Sequence, residues 1–252
     1  MTAIRLLLLT LAPALLQAQA ERFGLPACEG AGAEFVQRAN FTLCHDSELK
    51  VSRWAGHQLH SERSDVFGEH SLRAHFRQDL ELEGNSARNS DYRGSGFSRG
   101  HLVPAADFAS NEDGRRATYV LSNAVPQNLS MNAGKWRQLE SAIRALAAQA
   151  EATYVFTGPI FAGTAIESIG ASRVAVPTHL FKVALVITGE RKAMYAAILP
   201  NRPANGEPLD SFTTSVDEVE RVTGLDFFSS LEDIEEERLE AATNNFYSKP
   251  NS

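Results

Sequence analysis

The chain has 252 residues, 43% of them hydrophobic and 22% charged, which is the make-up of an ordinary soluble globular domain. Its formal charge is −7, so the chain as a whole is not built as a polycation for polyanions. Its cysteines and histidines form no zinc-type cluster.

Residues 1–20, "MTAIRLLLLTLAPALLQAQA", place Arg5 before a leucine-rich run and end on Ala18-Gln19-Ala20. That layout predicts a secretory signal peptide cleaved before Glu21. The apolar run, Leu6 to Leu16, is short of the roughly 20 residues of a membrane span, which disfavours the competing reading of an uncleaved anchor. Residues 21–252 are then expected to be a single exported domain, secreted or periplasmic and free of the membrane. An oxidising compartment would pair Cys28 with Cys44 and staple the N-terminal segment to the first strand, worth about 3 kcal/mol. Two buried free thiols are the alternative.

"FTLCH" and "KVSRWAGHQL" flank the polar turn Asp46-Ser47-Glu48 and predict a hairpin. Residues 78–95 are polar and turn-rich, a long surface loop. In "GFSRGHLVPAADF", residues 96–108, Phe97, Leu102 and Val103 suggest a strand that Pro104 ends. It carries Arg99 and His101 with Gly100 between them. The ordinary reading is a solvated edge strand with a glycine bulge; the functional one is a strand aiming both side chains into one cleft, with a bulge or twist at Gly100. Arg73, Arg77, Arg88, Arg93, Arg99, Arg115 and Arg116 crowd this portion, so a local basic groove is compatible with the negative total.

"ASNEDGRRA" reads as a loop or short helix, "TYVLSN" as a strand ending at Asn123, and "NAGKWRQLESAIRALAAQAEA" as a helix. "TYVFTGPIF", "HLFKVALVIT" and "AMYAAILPN" are strands. "SVDEVERVTG" is a helix with a Ser215–Glu218 capping box and Gly224 to stop it. "LEDIEEERLE", with six carboxylates against one arginine, reads as a solvated helix face. The expected architecture is α+β with largely antiparallel strands and flanking helices.

Asn132, Trp136, Glu140 and Arg144 stand four apart, and the last three form a stripe on one side of the helix. Leu139, Ile143, Leu146 and Ala147 supply a separate apolar face. The ordinary readings are an exposed Glu140–Arg144 ion pair, a core Trp136, and Asn132 as helix N-cap. Combined in the order β-β-α, however, the pieces bring an imidazole, an amide oxygen, a carboxylate and two guanidinium groups towards one point. That set suits phosphodiester hydrolysis: a neutral hard oxygen for Mg²⁺, a base for water, and forks for phosphate.

At these residues the sequence resembles the DNA/RNA non-specific endonucleases of the ββα-metal fold, which include endonuclease G and secreted bacterial nucleases. The resemblance lies in "SRGHLVPAAD", "NAVPQ" and "NAGKWRQLE", with "YRGSGF", "TGPIF", "VPTHLFKV" and "VERVTGLDFF" around them. It implies His101 as general base, Asn132 as the direct protein ligand of Mg²⁺ (with Mn²⁺ as another divalent ion that could serve), and Glu140 as holder of the ion's waters. It implies Arg99 and Arg144 on phosphate and Asn123 as an orienting residue, while Arg93 in "YRGSG" is expected either on the nucleic acid backbone or as the cap of a turn. The substrates implied are DNA and RNA, the products 5′-phosphate and 3′-hydroxyl ends, and a homodimer is compatible with the family. Ser98 stands where most members carry aspartate, which removes a carboxylate beside the site. Other readings are a nucleic-acid-binding module of the same fold without chemistry, and a phosphodiesterase of small esters.

Overall fold

A computed structural model of the chain describes residues 23–59, 75–82 and 84–246. The leader expected at residues 1–20, its cleavage point and Arg73 lie outside the described residues.

A seven-stranded antiparallel sheet forms the centre, in the order β1-β2-β3-β6-β9-β10-β11. β1 (Ala33–Gln37), a strand that the sequence did not announce, precedes the expected hairpin of β2 (Phe41–Asp46) and β3 (Val51–Leu59). The hairpin turn is held by Asp46, whose Oδ1 accepts the Glu48 and Leu49 N–H groups at 2.9 Å each. β6 (Ala152–Ile160), β9 (His179–Thr188) and β10 (Arg191–Pro200) are the three long apolar strands of the second half. The short β11 (Thr213–Thr214) closes the edge, and β7 (Ser168–Ile169) pairs with β8 (Val174–Ala175) apart from the main sheet.

Both faces of the sheet are buried, and alternation along each strand divides the core in two. On β9, Leu180, Ala184 and Val186 face one side, while Phe181, Val183 and Leu185 face the other. The first face is covered by a hairpin and a long helix. β4 (Phe97–His101) pairs antiparallel with β5 (Ala124–Asn128), and the chain turns at once into α3 (residues 129–147). Leu139, Ile143, Leu146 and Ala147 bury the expected apolar face of α3 against that side, and Trp136 is core as expected. The second face is covered by α4 (Val216–Thr223) and α5 (Asp233–Glu240), packed with Phe227 and Phe228. α4 begins at Ser215, whose side chain accepts the Glu218 N–H, and ends at Gly224 with φ of 70°. The Cys28–Cys44 disulfide is formed, with the Cα atoms 5.4 Å apart.

Two expectations change. "TYVLSN" is not a strand: α2 (Glu112–Ala117) runs up to it, Val120 makes one isolated parallel bridge with Arg77, and a 3₁₀ turn spans Leu121–Asn123. The strand begins after Asn123 rather than ending there, because the Asn123 side chain is bonded to neighbouring backbone. Residues 78–95 are not a plain surface loop either. They hold a 3₁₀ turn at Leu80–Leu82, α1 (Asn89–Tyr92) and the buried carboxylates Asp79 and Asp91. Asp79 accepts from Arg38 and Ser122, and Asp91 accepts the N–H groups of Arg88 and Ser172, so three bonds tie the segment to distant parts of the chain and one folds it on itself.

Candidate active site

β4 and β5 form a regular ladder, Arg99 opposite Pro126, Gly100 opposite Val125 and His101 opposite Ala124, so the bulge expected at Gly100 is absent. None is needed. Arg99 and His101 are two residues apart, and ordinary strand alternation already sends both to one face. The glycine has another cause: a Cβ at position 100 would lie 2.0 Å from Cδ of the buried Gln127.

Asn128, not Asn132, caps the helix. Its side chain accepts the Ser130 and Met131 N–H groups, while its own N–H donates to Asn201 Oδ1 at 2.7 Å. Asn132 therefore sits inside the helix, at the start of a π turn spanning Asn132–Trp136. A uniform α-helix would place Asn132 and Glu140 about 80° apart around the axis. The wider i→i+5 turn rotates less per residue and draws the two side chains towards one line.

Ser98 orients the Asn132 amide. The Ser98 hydroxyl donates to Gln127 O at 2.9 Å, so its oxygen is left to accept, and Asn132 Nδ2 donates to it at 3.0 Å. With Nδ2 engaged, Oδ1 is the atom presented away from the strand. It is a neutral oxygen donor of the kind that hard divalent cations prefer.

His101 lies between two rings, 4.5 Å from the centroid of Phe76 and 4.8 Å from that of Tyr119. Its Nε2 is buried and has no hydrogen-bond partner. Burial first, and then the positive charge of Lys182, hold its pKa down at about 4, with Asp107 pulling the other way. The imidazole is therefore neutral at pH 7. Arg99 lies over the Tyr92 ring at 5.2 Å and donates one Nη2 bond to Asn89 O at 2.9 Å, while its Nε is buried and unpartnered. Arg93 is exposed at the end of α1. Asn123 is fully buried and bonded to backbone: Oδ1 accepts from Val103 N, and Nδ2 donates to Val103 O and Thr118 O. It fixes the end of β4 against the start of β5.

Arg144 does not join this group. It is 8% exposed, with Nη1 on Asp107 Oδ1 at 2.8 Å and Nη2 on Ser141 Oγ at 3.0 Å. The expected phosphate contact is replaced by an internal one, because an arginine on the inward stripe of α3 meets a carboxylate there. The exposed Glu140–Arg144 pair is likewise not formed. Asp107 Oδ2 bonds His57 Nε2 at 2.8 Å, and His57 and Arg144 together hold the Asp107 carboxyl below its ordinary pKa despite burial. Glu140 is pushed up to about 7, by burial first and then by Asp107, with Lys182 and Arg144 opposing.

Lys182 is the residue that sequence reading passed over. It is 1% exposed, donates to Thr157 Oγ1 at 2.9 Å and Leu102 O at 3.2 Å, and lies 4.8 Å from the centroid of the Trp136 ring. A lone lysine in the apolar run "HLFKVALVIT" was the available signal. His57 and Asp107 were passed over too. A cleft of about 500 Å³, lined by Phe97, Phe161, His179, Asn201 and Arg202 among others, opens beside the start of β4.

The profile of the DNA/RNA non-specific endonuclease family matches residues 19–234. The chain belongs to that family. It is an enzyme of the metal-dependent nuclease class, a hydrolase with the ββα order in β4, β5 and α3. It is 37% identical over 226 residues to "Nuclease EXOG, mitochondrial" of Danio rerio, a match covering 84% of this chain and 64% of that protein. Identity to "Endonuclease G, mitochondrial" of Homo sapiens is 33% over 222 residues, covering 83% and 73%. Among solved structures, a chain of "Crystal structure of the EndoG/EndoGI complex: Mechanism of EndoG inhibition" superposes with a TM-score of 0.78 at 28% identity. That match covers 86% of this chain and 92% of the other. These names correct one expectation. Both of these relatives are named as mitochondrial nucleases, not secreted or periplasmic proteins, and an apolar N-terminal run does not by itself define a compartment. No helix among the described residues is long and apolar enough to cross a membrane.

Proposed function

We propose that this family member hydrolyses phosphodiester bonds of DNA and RNA with Mg²⁺, leaving 5′-phosphate and 3′-hydroxyl ends. The observation that carries the reading is the Asn132 amide, locked by Ser98 through its nitrogen so that its oxygen is left to bind. The donor set fits a hard divalent cation: Asn132 Oδ1 would hold it directly and Glu140 would accept hydrogen bonds from its hydration shell, and Mn²⁺ could substitute. Bound there, the cation would neutralise charge on the phosphate and favour departure of the 3′ oxygen.

The chain's own residues supply the rest. His101, kept neutral by its aromatic walls and by Lys182, takes the proton from water through its unpartnered nitrogen. Arg99, held over Tyr92 with Nε unpartnered, donates to a phosphate oxygen, and exposed Arg93 contacts the backbone further along the strand. Arg144 serves from behind, holding Asp107 in place. Asn123 keeps β4 and β5 in register for all of these.

The test uses purified protein on supercoiled plasmid and on RNA, with Mg²⁺ or with EDTA. Mg²⁺-dependent cleavage of both is expected, with ends that a polymerase extends without phosphatase treatment. Asn132→Ala should lose at least about 10²-fold in turnover while keeping the native circular dichroism spectrum. It should also keep most of its DNA affinity, which comes from salt-sensitive phosphate contacts. Full Mg²⁺-dependent activity in Asn132→Ala would overturn the assignment, and binding without cleavage in the parent chain would favour a module without chemistry.

A further inference from the structure

Across the central sheet from His101, carboxylates converge on one point. Asp217 and Glu220 stand three apart on α4, Glu240 ends α5, and one oxygen from each lies within 4.8 Å of the other two. Asp226 in the connection and Glu236, one turn before Glu240, add to the field. The leading charges acting on Glu220 and on Glu240 are other carboxylates. Of the basic side chains on these elements, Arg221 is engaged with Glu218 and Lys192 with Glu235, and Arg238, in the last turn of α5, is not among the groups that most perturb Glu220 or Glu240.

A second observation points to something missing from this group. Glu240 is only 8% exposed, yet its Oε1 is buried and accepts no hydrogen bond, and the buried Oε1 of Glu236 accepts none either. Glu220 has a single partner, the Phe227 N–H at 2.7 Å on its Oε1. Buried acceptors are nearly always satisfied in folded proteins, so an unpartnered buried oxygen on Glu240, a member of the converging group, calls for a cation.

We infer that Asp217, Glu220 and Glu240 bind a divalent cation of the calcium type, at a structural site separate from the catalytic groove. Calcium takes six to eight oxygens at about 2.4 Å, so two oxygens on one ion are at most about 4.8 Å apart. The spread of the three carboxylates meets that limit. Calcium also tolerates the irregular geometry of side chains drawn from two helices, where Mg²⁺ demands a near-ideal octahedron. Asp217 is exposed and leaves a mouth through which the ion and its remaining waters enter. The ion would tie α4 to α5 and hold the intervening connection, with Phe227 and Phe228, on the core.

Proton binding is the substitute when no cation is present. Burial first and neighbouring acids second push Glu220 up to about 7 and Glu240 up to about 8. Between the ordinary carboxylate value of 4.5 and about 8, the folded chain retains protons that the unfolded chain has released. Stability without the cation therefore falls as pH rises through that window, and the cation removes the fall.

The experiment uses Asn132→Ala in the full chain, so that the catalytic groove contributes little to metal binding. Equilibrium dialysis with radioactive Ca²⁺ at pH 8 should find one bound ion, and thermal unfolding should show a midpoint raised by several degrees. Adding Glu240→Gln should abolish the binding and raise the ion-free midpoint, because one repelling charge is gone. Adding Asp217→Asn, a surface change that the fold tolerates, should weaken Ca²⁺ binding about tenfold or more. Placed singly in the parent chain, neither substitution should alter Mg²⁺-dependent plasmid cleavage. Absence of bound Ca²⁺, or undiminished binding in both variants, would overturn the inference, whatever the plasmid assay shows.

Discussion

His101 carries the sharpest expectations at the scale of single residues. General-base action is worth about 10² to 10⁴ in rate, so His101→Ala should fall by at least that much in a plasmid assay under saturating Mg²⁺. The pH profile should differ from that of a free imidazole. The base works only when neutral, and burial with Lys182 nearby holds its pKa at about 4 instead of 6.5. Activity should persist through pH 6 and 5 and be lost as pH falls through about 4, measured as kcat/KM on a fluorogenic oligonucleotide. A limb near 6.5 would show that the nitrogen is more exposed to water than Phe76 and Tyr119 allow. Gly100 yields a prediction about stability. Its Ala variant puts a methyl 2.0 Å from Gln127 Cδ, and Gln127 is fully buried. The clash should cost about 1 to 3 kcal/mol, read as a lowered urea midpoint.

At the scale of elements, the unit that matters is the short passage from β5 into α3. Three devices act within a few residues: the Asn128 cap, the π turn at Asn132–Trp136, and the Ser98 bridge back to β4. Together they set where Asn132 points. Asn128→Ala removes the cap, which should cost about 1 kcal/mol of stability. Because that cap also places the first turn of the helix, kcat should fall several-fold at temperatures where the variant is still folded. A variant with unchanged kcat and only a lower midpoint of thermal unfolding would confine Asn128 to stability. The Ser98 position reads in the same terms. Its hydroxyl both donates and accepts, so Ser98 joins β5 to Asn132.

At the scale of the whole molecule, one sheet keeps two kinds of polar cluster apart. The face under β4, β5 and α3 buries a mixed set, with Lys182 and Arg144 against Asp107 and Glu140. The opposite face gathers carboxylates, and the leading charges acting on Glu220 and Glu240 are other carboxylates. Outside both, the disulfide fastens the segment before β1 to β2 across a separation of 16 residues. Replacing both cysteines by serine should cost about 3 kcal/mol and lower the unfolding midpoint, while Mg²⁺-dependent cleavage at 25 °C stays near the parental rate. A loss of activity without a loss of stability would mean that the N-terminal segment reaches the groove.

Most of the elements were legible from local pattern. The β2–β3 hairpin, the three long strands β6, β9 and β10, the apolar stripe of α3 and the caps of α4 all follow from periodicities and caps spanning a few residues. The pairing of Cys28 with Cys44 was legible too, and so were the residue types and spacings that make His101, Asn123, Asn132 and Glu140 candidates. Local pattern failed where a distant partner took over. "TYVLSN" has strand-forming residues, but the Asn123 side chain bonds backbone at Val103, 20 residues away, and holds a turn instead. The bond from Asn132 to Ser98 spans 34 positions, that from Arg144 to Asp107 spans 37, and that from Lys182 to Leu102 spans 80. The charge run 231–240 looks like a solvated face until α4 brings Asp217 and Glu220 against Glu240. The sequence by itself determined which side chains the chemistry can use, because residue type and short spacing are local properties. Only the tertiary structure decided which nitrogen meets which oxygen, because charge pairing and desolvation depend on neighbours that the fold brings together.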